Sequence, residues 1–156
     1  MLGEACGIPT VVASMGEFFA TTSGYLDSVI KAQRKVFEEA RSKAPSFLFL
    51  DEINALPNID KLGDRGRDWW LPVILDFYTL LDGAMSDRDG VIVIGATNRL
   101  EDINPALLRP GRLERAIYVG PPDAAGLERI MRHHLAGDLT GEDLGPLALI
   151  GSRSEE

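Results

Sequence analysis

Four short apolar runs, separated by segments with helical spacing, are the feature that most constrains the fold of this chain. The runs are rich in Val, Ile, Leu and Phe. Runs that are apolar on both sides of the pleat and alternate with helices are typical of parallel strands covered on both faces. The sequence therefore predicts an α/β fold. The four predicted strands are Ile8 to Ala13, Phe47 to Leu50, Val91 to Ile94 and Ala116 to Val119.

Helices are predicted in the segments between these runs. Apolar residues recur every three to four positions from Val29 to Ala44, and Pro45 ends the pattern. Polar residues with capping potential mark further helix starts. These starts are Ser14 with Glu17 in capping-box spacing, Asn104 followed by Pro105 in a short helix through Leu108, and Asp123 before a helix through Leu135.

Two segments have no apolar periodicity. The stretch from Pro57 to Trp69 mixes proline, glycine and charges, which predicts a long loop before helical spacing resumes from Val73 to Leu81. Trp69-Trp70 is interpreted as the start of that packed helix, with an exposed binding patch as the alternative. After Leu135 the Gly-rich and acidic sequence predicts a frayed tail.

Composition excludes several classes of protein. The chain has 156 residues, of which 45% are hydrophobic and 26% charged, as in one ordinary globular domain. Its net charge of −8 argues against a nucleic-acid binder, because phosphate contacts need an excess of Lys and Arg. Cys6 is the only cysteine, and no apolar run approaches the length of a membrane span. We therefore expect a cytoplasmic protein with no membrane contact.

Two acids follow the second predicted strand directly. Asp51 and Glu52 come after four apolar residues, and ligands of open parallel sheets bind outside the carboxyl ends of the strands. In a nucleotide-magnesium site, the first acid would hold the Mg²⁺ shell and the second would take a proton from the attacking water. The alternative is a strand that simply ends in a solvated Asp-Glu pair.

Polar residues also follow the third predicted strand. Gly-Ala-Thr-Asn ends in Asn98, which could orient the attacking water, although an asparagine in a turn is the simpler alternative. Further along, Arg109 and Arg112 lie around a Pro-Gly turn in an otherwise acidic chain. A planar, permanently charged guanidinium is suited to stabilising charge on a transferred phosphoryl group. A solvated basic turn is the alternative.

The order and spacing of three motifs resemble the AAA subgroup of the AAA+ ATPases. The motifs are Phe-Leu-Phe-Leu-Asp-Glu-Ile, Gly-Ala-Thr-Asn-Arg and Asn-Pro-Ala-Leu-Leu-Arg-Pro-Gly-Arg, and the resemblance extends from about Leu2 to Leu135. It implies a P-loop NTPase-like parallel sheet with helices on both faces. It also implies an enzyme that uses ATP and Mg²⁺ to remodel or unfold a protein client.

The resemblance also implies a role for each site residue. Asp51 and Glu52 match the Walker B pair, and Asn98 matches sensor 1. Arg109 and Arg112 match the arginines that reach the nucleotide of a neighbouring subunit, which implies a homo-oligomeric ring, usually a hexamer, or assembly with other AAA subunits. Tyr25 falls on the aromatic position of the family's pore loop, where it would grip a polypeptide. A tyrosine packed at the start of a helix is the alternative.

One family motif does not occur in the sequence. No Gly-x-x-x-x-Gly-Lys-[Ser/Thr] phosphate loop is present, and the resemblance places its lysine about ten residues before Met1. We therefore predict a partial AAA+ core in residues 1–136, without the P-loop strand, and a tail or the start of a truncated lid in residues 137–156. Two alternatives to an active ATPase follow: a non-catalytic subunit that offers its arginines to a partner, and an inactive fragment.

Overall fold

The computed structural model describes residues 2–20, 25–84, 90–135 and 144–152. The chain divides into two compact units, residues 1–116 and residues 117–156. The first unit contains the sheet and all the predicted site residues. Two helices occupy the described part of the second unit.

A parallel three-stranded sheet lies at the centre of the first unit. Its strands are β1 (Thr10–Ser14), β2 (Ser46–Asp51) and β3 (Val91–Gly95), in the order β1-β2-β3. Leu48 of β2 lies opposite Val11 of β1 and Val93 of β3. The α/β prediction and the first three predicted strands are therefore confirmed.

One face of the sheet is covered by two long helices, α3 (Leu26–Ser42) and α4 (Asp64–Ala84). The apolar spacing of α3 places Phe37 in the interior, where its ring packs edge-on against Phe77 of α4 at a centroid distance of 5.9 Å. Both rings are fully buried. The helix predicted from Val29 onwards is confirmed, and this interface is the core of the unit.

The short helix α1 (Leu2–Cys6) approaches Thr10, whose side chain is on the face of β1 opposite to that of buried Val11. A Cβ on Gly3 would be only 2.1 Å from the Thr10 hydroxyl, so the helix approaches β1 at a distance that only glycine permits. Helices therefore flank the sheet on both sides, as predicted. Coverage of this second face is lighter, since Val12 and Ile92 remain exposed.

The prediction of a long loop from Pro57 to Trp69 is wrong. Short 3₁₀ turns occupy Ile53–Ala55 and Ile59–Lys61, and α4 already begins at Asp64. The first turn of α4 is polar and contains Gly66. A polar turn has no apolar periodicity, so the sequence pattern does not show that this turn is helical. Trp69 and Trp70 are half-buried within α4, and the ring of Phe19 from α2 (Met15–Ala20) packs edge-on against Trp70, as the packing interpretation predicts.

The prediction of a strand from Ala116 to Val119 is also wrong. The segment has no regular structure, and Ile117, Tyr118 and Val119 are 83–89% exposed. A strand needs a hydrogen-bonded neighbour, and this segment pairs with none of the strands in the described residues. Apolar character alone therefore does not make it a strand.

The second unit contains α5 (Ala124–Leu135) and α6 (Gly145–Ser152), which pack together. Asp123 starts α5 as predicted, because its Oδ1 accepts a hydrogen bond from the Gly126 amide at 2.7 Å. The frayed tail is wrong for the residues of α6, whose start is anchored by buried Leu144 and Ala148. The domain boundary predicted at residues 136–137 lies outside the described residues.

Candidate nucleotide hydrolysis site

The two acids lie where β2 leaves the sheet. Leu50 is fully buried, whereas Asp51 and Glu52 are exposed. The backbone of Glu52 is left-handed, with φ 53° and ψ 43°, and its amide donates to Asp51 Oδ1 at 2.9 Å. Left-handed backbone is uncommon for a residue with a side chain and is concentrated at functional sites. The chain therefore turns sharply at the point where the carboxylates are presented.

The segment that follows β3 is hydrogen-bonded to the carboxyl end of β2 and to the residues just after it. The Ala96 amide donates to the Leu50 carbonyl at 2.8 Å, and the Ile53 amide donates to the Ala96 carbonyl at 3.1 Å. Thr97 adds a side-chain hydrogen bond to Asn54 at 2.8 Å. Asn98 follows directly and is exposed. The structure thus brings Asn98 to the sheet edge that holds the acid pair.

Two residues that sequence reasoning missed surround the Glu52 carboxylate. The Ser14 hydroxyl donates to Glu52 Oε2 at 3.1 Å, and a Cβ on Gly16 would be only 2.9 Å from the same oxygen. The sequence had marked Ser14 only as a helix cap. Ser14 lies opposite Asp51 in the parallel pairing of β1 with β2, and this pairing brings it close to Glu52. The sequence could have indicated this position only if β1 and β2 were known to be neighbours.

If the acid pair hydrolyses ATP, as its resemblance to the Walker B pair implies, Gly16→Ala should lower ATP turnover of the complete protein several-fold without lowering its melting temperature. Alanine stabilises a helix by about 1 kcal/mol relative to glycine. Its methyl group would, however, displace the Glu52 carboxylate from Ser14. Turnover and thermal unfolding, measured on the same preparation, separate the two effects.

Gly66→Ala is the matched control, because Gly66 is also near the start of a helix but the nearest atom to an added Cβ is 3.7 Å away. It should leave turnover unchanged. Equal turnover in both variants and the wild type would show that Gly16 does not position Glu52.

The arginine-rich segment forms an anchored turn. Asn104 caps the 3₁₀ helix Pro105–Leu108, as predicted, with its Oδ1 accepting from the Ala106 amide at 2.9 Å. The Leu113 amide donates to the carbonyl of buried Leu107 at 2.9 Å. Gly111 has φ 82°, a conformation that glycine adopts without strain. Residues 109–113, named here the arginine turn, are therefore fixed at their base.

The two arginines of this turn differ in environment. Arg109 is exposed and has no ion pair within the described residues. Arg112 donates from Nε and Nη2 to the two oxygens of Asp82 at 2.7 and 2.9 Å, and its side chain is only 17% exposed. The hydrogen bond from Arg112 holds the pKa of Asp82 below its usual value, and the same bond raises the pKa of Arg112.

Tyr25, the predicted pore-loop residue, is 74% exposed and immediately precedes α3. Its carbonyl accepts a hydrogen bond from the Ser28 hydroxyl at 2.6 Å. The alternative of a packed tyrosine is therefore wrong. Residues 21–24, which complete the predicted loop, lie outside the described residues.

The donor set at the end of β2 suits a hard cation. Mg²⁺ prefers oxygen ligands and is usually bound through one or two carboxylates together with substrate phosphates. Asp51 offers an exposed carboxylate of which only Oδ1 accepts a hydrogen bond from the described residues. Within the same part of the chain, no group of three or more His, Cys, Asp or Glu side chains could hold a metal ion without such a substrate.

Comparison with known proteins decides the family. The model of the ATPase family associated with various cellular activities (AAA) matches residues 1–121. The chain belongs to the AAA family. An AAA relative, ATP-dependent zinc metalloprotease FTSH 5 (chloroplastic) of Arabidopsis thaliana, is 39% identical over 143 residues, which cover 91% of the chain and 20% of the relative.

Two further relatives agree with this assignment. The ATP-dependent zinc metalloprotease FtsH of Mesomycoplasma conjunctivae is 34% identical over 91% of the chain and 19% of its own length. Protein SAV of Sulfolobus acidocaldarius is 39% identical over 77% of the chain and 16% of its own length. The AAA chain thus spans about a fifth of the length of the curated relatives it matches.

None of the described helices of the chain has the length and apolar character to cross a bilayer.

Proposed function

We propose that this chain supplies the hydrolytic part of an ATPase, in which Glu52 is the general base, Asp51 holds Mg²⁺ and Asn98 orients the attacking water. One observation supports this assignment most directly. Hydrogen bonds from Ala96 to Leu50 and from Ile53 to Ala96 join the chain segments that carry the acid pair and Asn98, at the carboxyl ends of β2 and β3. Ligands of parallel sheets bind at this edge.

Each residue of the site would have its own role in ATP hydrolysis. Bound Mg²⁺ would neutralise charge on the phosphate oxygens. Glu52 would take the proton of water through Oε1, because Ser14 already donates to Oε2. The Asp51 oxygen that accepts the Glu52 amide fixes the orientation of the first carboxylate, which leaves its other oxygen for the Mg²⁺ shell. The arginine turn would serve the nucleotide of a neighbouring subunit in a ring.

Protein remodelling is the proposed use of this activity. Two of the relatives described above are named ATP-dependent zinc metalloproteases, which act on polypeptides. An exposed aromatic side chain at Tyr25 supports a polypeptide contact before α3. The phosphates of ATP would be held by residues outside the 156 of this sequence, because no phosphate loop occurs within it.

The proposal is tested by measuring phosphate release from ATP by the complete protein that contains this chain. Turnover is expected in the presence of Mg²⁺. It is expected to disappear in EDTA, because the side chains of the site carry no positive charge that could replace the cation. Restoration by added Mg²⁺ controls for irreversible damage. A complete protein that releases no phosphate in Mg²⁺, alone or mixed with the subunits it assembles with, would contradict an ATPase function.

A further inference from the structure

We propose that Thr97 is a positioning residue for Asn98, and that its hydroxyl fixes the water-orienting amide through a hydrogen bond to Asn54. The bonds of the hydroxyl depend only on contacts within the chain. Their effect on ATP hydrolysis rests on the proposed function, in which Asn98 orients the attacking water. Thr97 would act on the reaction only through Asn98, without touching the nucleotide.

The backbone around Asn98 is held less tightly than the strand before it. Hydrogen bonds of the Ala96 amide and carbonyl fix the chain up to that residue. In the part of the chain that the structure describes, the next backbone hydrogen bond joins the Asp102 amide to the Arg99 carbonyl at 3.1 Å. The Asn98 side chain is exposed and makes no hydrogen bond to a described residue. The direction of its amide group therefore depends on what holds the residues on either side.

One hydroxyl holds the residues on both sides of Asn98. Thr97 Oγ1 donates to Asn54 Oδ1 at 2.8 Å and accepts from the Arg99 amide at 3.0 Å. A threonine hydroxyl has one proton to donate and lone pairs to accept, so the two bonds are compatible. The bond to the Arg99 amide closes a turn of the kind that Ser and Thr hydroxyls form with the backbone two residues on. Asn98 is the residue inside that turn, and its position follows that of Thr97.

Asn54 connects this turn to the segment that carries the general base. It lies in the 3₁₀ turn Ile53–Ala55, which begins directly after Glu52. Its bond to Thr97 joins residues 43 positions apart and is partly buried, where water competes less for the two groups. A misplacement of about 1 Å can lower the rate of an enzyme by about 10²-fold. A side-chain bond between the two segments would therefore limit how far Asn98 can move relative to Glu52.

The proposal is tested with Thr97→Val, because valine has nearly the shape of threonine but no hydroxyl. We expect kcat of the complete protein for ATP to fall by about 10- to 10²-fold, at a KM within about two-fold of the wild type. Thr97→Ser keeps the hydroxyl and should retain at least about half of the wild-type kcat. Thr79→Val is the matched control, since Thr79 is exposed on α4 and its hydroxyl donates to the Leu75 carbonyl at 2.9 Å. It should change neither constant.

Two double-mutant cycles separate positioning from a general loss of structure. Asn54→Leu removes the acceptor of the Thr97 hydroxyl, and its combination with Thr97→Val should be no slower than Thr97→Val alone. Asn98→Ala removes the amide that Thr97 positions, so Thr97→Val should not lower kcat further in that background. Losses that multiply in either cycle would overturn the proposal.

The single variants can also contradict it. If Thr97→Ser is as slow as Thr97→Val, or if Thr97→Val has the wild-type kcat, the hydroxyl does not position Asn98. A raised KM at unchanged kcat would show that Thr97 contributes to ATP binding instead.

The bonds of the hydroxyl are tested without nucleotide by hydrogen exchange of the Arg99 amide, measured by mass spectrometry at single-residue resolution. Exchange should be about five-fold or more faster in Thr97→Val, which lacks the acceptor, than in the wild type or in Thr97→Ser. Equal exchange in all three proteins would overturn the assignment of the Arg99 amide to Thr97. A wild-type protein with no turnover contradicts the proposed function instead, and the exchange then still decides whether Thr97 holds both sides of Asn98.

Discussion

Glu52→Gln is expected to lower ATP turnover of the complete protein by about 10²–10⁴-fold, the usual contribution of a general base, while ATP still binds. Glutamine has nearly the shape of glutamate and can still accept the Ser14 hydrogen bond through its carbonyl oxygen, but it cannot take a proton from water. Phosphate release measures the loss. Calorimetric titration with ATP under the same conditions measures binding.

Glu38→Gln provides the matched control, because Glu38 is an exposed acid on α3 outside the site. It should change neither turnover nor binding. Turnover within two-fold of the wild type in Glu52→Gln would show that another group is the base. Loss of ATP binding together with turnover would instead indicate that Glu52 is needed to form the site.

Phe77→Ala is expected to lower the free energy of unfolding by about 3–5 kcal/mol, the range for removal of a buried phenyl ring. The ring is fully buried, and its edge-on contact with Phe37 joins the two helices that cover the sheet. Since globular proteins are stable by only about 5–15 kcal/mol, this one change would remove a large part of the total. Urea denaturation, followed by circular dichroism, measures it.

Leu75→Ala controls for shortening an apolar side chain on the same helix. Leu75 lies two residues from Phe77 but is 52% exposed, so little packing is lost on its removal. We expect a destabilisation well below that of Phe77→Ala. Similar losses in the two variants would mean that the α3–α4 interface is not the main source of stability.

The sheet could be predicted from the sequence because its strands are short apolar runs and the central strand, β2, is buried on both faces, as the burial of Phe47 and Leu48 shows. Such strands have almost continuous apolar sequences, and Phe47 to Leu50 is an example. The same criterion failed at Ala116 to Val119, since apolarity does not report whether a hydrogen-bonding neighbour exists. It also missed the first turn of α4, where Asp64 and Gly66 follow no apolar period.

The sequence predicts candidate site residues from motifs and strand ends, but it does not predict contacts between residues that are distant in sequence. Asp51 and Glu52 follow a strand directly, and their position at the sheet edge needs no knowledge of other elements. The contacts of Ser14 with Glu52 and of Arg112 with Asp82 join residues 38 and 30 positions apart. Such pairs depend on which strands and helices are neighbours, which spacing along the chain does not specify.

The left-handed backbone of Glu52 has a consequence for how this position can vary. A residue with a Cβ in this conformation costs about 1–2 kcal/mol relative to one in the right-handed region, whereas glycine has no such cost. Selection for stability alone would therefore favour glycine at position 52. If Glu52 is the general base proposed above, the chain gives up this stability for a carboxylate at this point of the sheet.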